Sequence, residues 1–206
     1  MDRPDATVSR GSVTEPPRIT AALVDFRLHI DEHSEVRLLR AEDADSLYDV
    51  TIRNREFLSP WMSWPDRVID VSDTYGFLRA AEKEAYEHTA FKAGIWRHGT
   101  LIGCIDLHQI DWSNANARIG YWLDKDHTGH GIMTRAVHLL VEYAFEALDL
   151  HRIEIHAALE NHRSRRIAER LGFAMEGVLR QVQRLRGQYF DHALYALLRD
   201  DESARI

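Results

Sequence analysis

A chain of 206 residues, 45% of them hydrophobic, can bury one sizeable core and has little room for a second. Its net charge of −7, with acidic and basic residues interspersed, excludes a general nucleic-acid binder, which needs a clustered positive field. That balance favours a cationic small molecule or basic peptide as partner, or serves solubility alone. One cysteine excludes a disulfide framework, and no apolar run approaches the roughly 18 residues needed to span a bilayer.

The first 20 residues, MDRPDATVSRGSVTEPPRIT, lack an apolar signal core, so a cytoplasmic location without membrane contact is expected. Residues 1 to 22, rich in Pro, Ser, Thr and charge, read as a flexible extension before one domain over 23 to 200 and a tail over 201 to 206. Alternation at Phe26 to Ile30 and Val36 to Leu39, around the turn-like Asp31-Glu32-His33-Ser34, predicts two short strands. The carboxylates Glu42 and Asp43 favour the positive end of a helix carrying Ala44, Leu47 and Val50 on one face. A second helix is predicted from about Ser72 to Glu87, after the aromatic loop SPWMSWPD.

The period then changes. Phe91 to Trp96, Leu101 to His108 and Ala117 to Leu123 form an antiparallel meander, broken at His98-Gly99-Thr100 and Asp111-Trp112-Ser113-Asn114. Cys104, inside LIGCIDL, is assigned to the core rather than to nucleophilic chemistry. Ile132, Ala136, Leu139, Leu140, Tyr143, Ala144 and Ala147 recur at helical spacing. A strand follows at Ile153 to Ala157, and Asn161 caps a helix with Ile167, Ala168 and Leu171, ended by Gly172. Strands near Ala174 to Gln183 and Tyr189 to Leu198 close the chain around Arg186-Gly187.

The loop DHTGHG, Asp126 to Gly131, hands a strand to the long helix. Such a start leaves unpaired N–H groups pointing outward with the positive end of the helix dipole behind them, and Gly129 and Gly131 remove the Cβ atoms that would hold a phosphate away. An ordinary strand-to-helix turn with convenient glycines stays open on spacing alone. The ATP-binding pattern G-x-x-x-x-G-K-[ST] is absent. The dinucleotide pattern G-x-G-x-x-G fits Gly129 and Gly131, with Thr134 in place of the third glycine and Glu154 at the distance of a ribose-binding acid. That pattern belongs at the start of alternating parallel units, whereas a meander precedes this loop.

The stretches IGYWLDKDHTGHGIMTRAV, HRIEIHAALENHRSRRIAERLGFAMEGVLR, FLSPWMSWPD and GQYFDHALYALL, in this order, resemble the Gcn5-related N-acetyltransferase superfamily. Within it they are similar to the ribosomal-protein alanine and serine N-acetyltransferases, which modify protein N-terminal α-amino groups. The resemblance covers about residues 25 to 199 and implies a mixed α/β N-acyltransferase fold, a mostly antiparallel twisted sheet flanked by helices. It implies acetyl-coenzyme A (acetyl-CoA) as donor, an amine as acceptor and no metal; a homodimer is frequent in the family, though no pattern here establishes one. Leu123, His127, Thr128, Gly129, His130, Gly131, Ile132, Met133 and Asn161 become the expected coenzyme A contacts, with a backbone N–H near Leu123 polarising the thioester carbonyl. Asp126 departs from the family's Gln or Arg and is expected to point away from the phosphates. The strand ending Tyr121-Trp122-Leu123 is expected to splay from Ile153 to Ala157 and open a cleft for the pantetheine arm.

Ser164 aligns with a serine placed to protonate the departing coenzyme A sulfur; as a first-turn serine it could equally bond the backbone near the Asn161 cap. Asn161 likewise reads as a pantetheine contact or a plain cap. Trp61, Trp64, His108 and Gln183 are the expected acceptor-side residues, with a packed loop anchor as the alternative for the tryptophans. The positions where the family places glutamate bases hold Arg118 and Gln183, neither of which accepts a proton at neutral pH. His108, Glu176 and Asp191 remain as candidates that also suit structural roles, and Asp191 with Tyr195 resembles a polar pair of the family's closing strand. An α-amine, with a pKa near ~8, needs little help from a base. His127 and His130 read as half a metal site without further ligands. A non-catalytic acyl-coenzyme A sensor and an acetyltransferase of a polyamine, aminoglycoside or aminoacyl nucleotide are the competing functions.

Overall fold

The computed structural model describes residues 26–201; the extension expected over 1 to 22 and the tail residues 202–206 lie outside the described residues. Strands β1 (Arg27–Asp31) and β2 (Ser34–Leu38) form a hairpin. The Asp31 carboxylate accepts the His33 N–H at 3.0 Å, tightening the link so that β2 begins two residues before the expected Val36. Helices α1 (Ala44–Leu58) and α2 (Val71–Tyr86) follow, then β3 (Phe91–Arg97), β4 (Thr100–Asp111) and β5 (Asn116–Leu123). Helix α3 (Ile132–Glu146), β6 (Arg152–Ala158), α4 (His162–Arg170) and the hairpin of β7 (Ala174–Leu185) and β8 (Gln188–Leu198) complete the chain.

All strands join one eight-stranded sheet in the order β1-β2-β3-β4-β5-β6-β8-β7, antiparallel except between β5 and β6. That parallel pair is short, holding only Asn116↔Arg152, Ala117↔Ile153 and Arg118↔Glu154. Beyond it β5 stays with β4 as far as Gly103↔Leu123, and β6 stays with β8 as far as Ala158↔His192. The two inner strands therefore part towards their C-terminal ends, as the expected splay requires.

β7 runs two residues past the expected Gln183. Its register against β8 shifts between Leu179 and Gln183, and Gln181, at φ 53°, gives its N–H to the Asp191 carboxylate at 2.8 Å. A bulge interrupts the two-residue alternation from which strand ends are read.

Two cores lie on opposite faces of the sheet. The larger joins Ile119, Ile153 and Ile155 to Met133, Val137, Leu140 and Val141 of α3. β-Branched residues in α3 cost only tenths of a kcal/mol each in helix propensity, whereas burying a Val, Ile or Leu contributes roughly 1.5–3 kcal/mol, so packing dominates. The smaller core, under α1 and α2, contains Leu47, Val50, Leu78, Trp96 and Cys104. Burial raises the Cys104 thiol far above its ordinary value, which removes it as a nucleophile.

Candidate active site

The turn after β5 is anchored from behind by α1. Asp124, 1% exposed, gives its N–H to the Ile102 carbonyl at 2.7 Å. Its carboxylate accepts from the Asp126 N–H and from Arg53 Nε, both at 2.9 Å, and from Arg53 Nη2. The buried Asn54 side chain donates to Val50 O at 2.8 Å and accepts the Lys125 N–H at 2.9 Å. Burial pushes the Asp124 carboxyl up, yet the Asp126 amide, Arg53 and Asn54 outweigh it and hold the group below its ordinary value. A depressed carboxylate contributes stability that is complete above the unfolded value near ~4 and is lost as pH falls through the folded one. Asp124→Asn should therefore cost about 1–3 kcal/mol at neutral pH, and the Tm gap between variant and parent should narrow below about pH 4. A constant gap in thermal melts across that range would contradict the assignment.

Past this anchor the chain adopts left-handed geometry at Gly129 (φ 86°) and Gly131 (φ 73°). Gly131 is the N-cap of α3 and supplies no side-chain bond, so the first amides of α3 face outward with the helix dipole. A bound anion fits that end. Arg163, Arg166 and Arg170 of α4 line the same space and add positive charge. Their spacing of three and four residues places them on one helix face, a sequence signal not used in predicting the site.

The parting of β5 and β6 continues this loop into a cleft of about 1240 Å³. Leu123, His127, Thr128, Gly129, Gly131, Ile132 and Met133 line its loop end. Asn161, Ser164, Trp61 and Gln183 line the remainder. Three expected contacts lie elsewhere. Trp64 packs its ring against Trp122 at 5.6 Å, anchoring the loop; His108 Nδ1 is bonded to Asp106 at 2.5 Å outside the lining; His130 is exposed beyond the rim. Asp126 is exposed and outside the lining. No group of acidic, histidine or cysteine side chains among the described residues could hold a metal.

The polar groups on the cleft wall are specifically paired. Asn161 Oδ1 accepts the Ser164 N–H at 3.2 Å and so caps α4, which leaves the Ser164 hydroxyl to donate to Tyr121 Oη at 3.1 Å. Tyr121 in turn donates to the Ser164 carbonyl at 3.1 Å, and burial pushes its phenol up to about 12. Gln183 Nε2 donates to Trp61 O at 3.1 Å, and its Oε1 accepts from His192 Nε2 at 2.9 Å. None of the candidate bases lines the cleft. Glu176 is paired with Arg152 at 2.8 and 2.5 Å, Asp191 holds the β7 bulge, and Arg118 Nε donates to Glu154 at 3.1 Å. Instead, His156 and His192 face the cleft. The alternation of β6, with Ile153 and Ile155 inward and Glu154 and His156 opposite, carried that signal for His156.

A site offering backbone donors to a pyrophosphate at one end and a trough between two parted strands at the other has the form of an acyl-coenzyme A-dependent transferase. The sequence pattern of the Acetyltransferase (GNAT) domain matches residues 35–174, and the chain belongs to this family of N-acetyltransferases, with acetyl-CoA as cosubstrate. It is 36% identical over 84% of its length, and 96% of the relative's, to the "Putative ribosomal N-acetyltransferase YdaF" of Bacillus subtilis. It is 30% identical to the ribosomal-protein-serine acetyltransferase of Escherichia coli, over 85% of this chain and 98% of that one. Among solved structures, RimL, a ribosomal L7/L12 alpha-N-protein acetyltransferase in complex with coenzyme A, superposes with a TM-score of 0.81 at 25% identity, covering 84% of this chain and 98% of that one. No helix among the described residues is long and apolar enough to cross a membrane.

Proposed function

We propose that this acetyltransferase modifies a protein N-terminal α-amino group by direct attack on acetyl-CoA in a ternary complex, in the cytoplasm. The observation that carries the reading is the continuous cleft from the glycine loop, past the parted strands, to Trp61 and Gln183. The amides of Gly129, Gly131, Ile132 and Met133 hold the pyrophosphate, Asn161 meets the pantetheine arm, and an amide near Leu123 polarises the thioester carbonyl. Ser164 returns a proton to the leaving sulfur. Glu56 and Glu160, also on the cleft wall, complement an incoming ammonium. The ribosomal-protein acceptors in the relatives' names support a polypeptide terminus over a free polyamine, because the spermidine acetyltransferase of Escherichia coli is only 24% identical. Homodimerisation, the last part of the proposal, finds its support in Met175, Val178 and Val182, all exposed on the edge strand β7.

Thiol release from acetyl-CoA should be faster with short peptides beginning in serine or alanine than with spermidine or an aminoglycoside. Mass spectrometry of host-protein N-termini, with and without the enzyme, should show a small set gaining 42 Da, roughly one acetyl group, at the α-amine. Turnover confined to spermidine or an aminoglycoside would replace this acceptor with the small amine.

A further inference from the structure

We propose that His156 is the general base of acetyl transfer, held in its working tautomer by Glu154. The inference rests on acetyl transfer taking place in the cleft described above. His156 stands two residues beyond Glu154, the last residue of β6 to pair with β5, and its side chain lines the cleft where the strands part. Its Nε2 lies 2.9 Å from Glu154 Oε2.

The tautomer follows from the partners of Glu154. Arg118 Nε donates to Oε2 at 3.1 Å and Arg152 Nε to Oε1 at 3.0 Å, and these cations with His156 hold the carboxyl ionised against its burial. An ionised carboxylate only accepts, so the bond requires the proton on Nε2 and leaves Nδ1 with the ring's lone pair. The one side-chain hydrogen bond of the His156 ring among the described residues is that of Nε2 to Glu154.

His192 is the rival, being on the same cleft wall. Trp61 O can only accept, so Gln183 must present Nε2 to it and Oε1 to His192, whose Nε2 therefore also carries the proton. The two rings differ in what stands behind them. Glu154 is an anion that stabilises an imidazolium as it forms; Gln183 is neutral and does not. The charged groups around His156 are Glu154 and Arg152 on its own strand, Arg118 on β5, His108 on β4, His192 on β8, and Glu176 on β7 through Arg152. Burial, with Arg118 and His108, lowers the His156 pKa against the pull of Glu154, so the ring is neutral and able to accept a proton at neutral pH.

In the step itself the neutral amine nitrogen forms the C–N bond while the carbonyl π pair moves to oxygen. The nitrogen, now cationic, passes its proton to His156 Nδ1. Collapse of the tetrahedral intermediate re-forms the carbonyl and breaks the C–S bond; the thiolate takes the Ser164 hydroxyl proton, and Ser164 regains a proton from solvent as His156 releases its own. Imidazole is a weaker base than a free amine, but the sulfur and oxygen on the new tetrahedral carbon make its ammonium more acidic than the starting one, which brings it within reach of an imidazole base.

The experiment is the pH dependence of kcat for thiol release, with saturating acetyl-CoA and a short peptide bearing an N-terminal serine. His156→Gln should lower kcat at pH 7 by roughly 100-fold or more and abolish the lower of two acidic limbs, that of the imidazole, leaving only the amine's own ionisation near ~8. Coenzyme A affinity by calorimetry should be unchanged, which separates loss of the base from loss of the site. Glu154→Gln should lower kcat and shift the imidazole limb to lower pH, because the group that raises the His156 pKa is gone; a merely structural Glu154 would not move it. His192→Gln should keep the imidazole limb. Retention of the parental limb and rate in His156→Gln would overturn the assignment while leaving the acetyltransferase activity intact, and loss of the limb only in His192→Gln would transfer the role to that residue.

Discussion

Replacing Gly129 with leucine is expected to weaken coenzyme A binding by about 100-fold or more while the protein stays folded. A Cβ built on Gly129 meets no protein atom within 4 Å, so the fold bears only the left-handed strain at φ 86°, roughly 1–2 kcal/mol. The side chain instead enters the cleft, where it displaces a pyrophosphate from the amides at the start of α3. Losing two charge-assisted bonds of roughly 1.5–3 kcal/mol each exceeds the ~2.8 kcal/mol that a hundredfold loss requires. Gly131 is a useful comparison, because there a Cβ lies 3.0 Å from Arg135 Nη1, the far end of a flexible side chain that can move. Calorimetry with coenzyme A, paired with a thermal melt, reads both quantities. Undiminished affinity in a folded Gly129→Leu protein would show that the loop is only a turn.

Ser164→Ala should lower kcat by roughly 100-fold with little change in KM for acetyl-CoA. The geometry makes this a clean test, since Asn161 rather than the Ser164 hydroxyl caps α4 and the methyl variant keeps that cap. The hydroxyl donates to Tyr121, and Tyr121, with its phenol near 12, is itself a conceivable proton source for the thiolate. Tyr121→Phe separates them: with Ser164 as donor, most of the turnover survives. A larger loss in Tyr121→Phe than in Ser164→Ala, measured side by side, would assign the proton to the phenol.

Much of this architecture could be read from local pattern. The runs of the meander are apolar enough to mark strands, the three long helices carry apolar faces, and Gly129 and Gly131 stand where left-handed residues are required. The chemistry on the opposite face was less legible. Glu154 had the spacing of a ribose-binding acid, but β6 turns it away from the larger core towards Arg118, Arg152 and His156. Arg118, at a position where a base was sought, is the counterion of that carboxylate. Such pairings join residues 36 positions apart through a strand register that one-dimensional spacing does not encode. The same holds for Gln183, whose two partners, Trp61 and His192, come from a distant loop and from beyond a bulge.

The short seam between β5 and β6 has a mechanical meaning as well. Sheets ordinarily confine unsatisfied backbone to their rims, yet here the sheet carries two inner edges at its centre, dividing five strands on one side from three on the other. Along the seam the strands pair at three positions, and elsewhere the halves are held by side chains such as Arg118 with Glu154 and Tyr121 with Ser164 and by the core under α3. A donor that lies along those edges acts as a strap across them, so its binding free energy is also cohesion of the whole sheet, growing as RT ln(1 + [L]/Kd). The resistance of the fold to opening, and to proteases that exploit opening, then follows the abundance of the cell's acetyl currency.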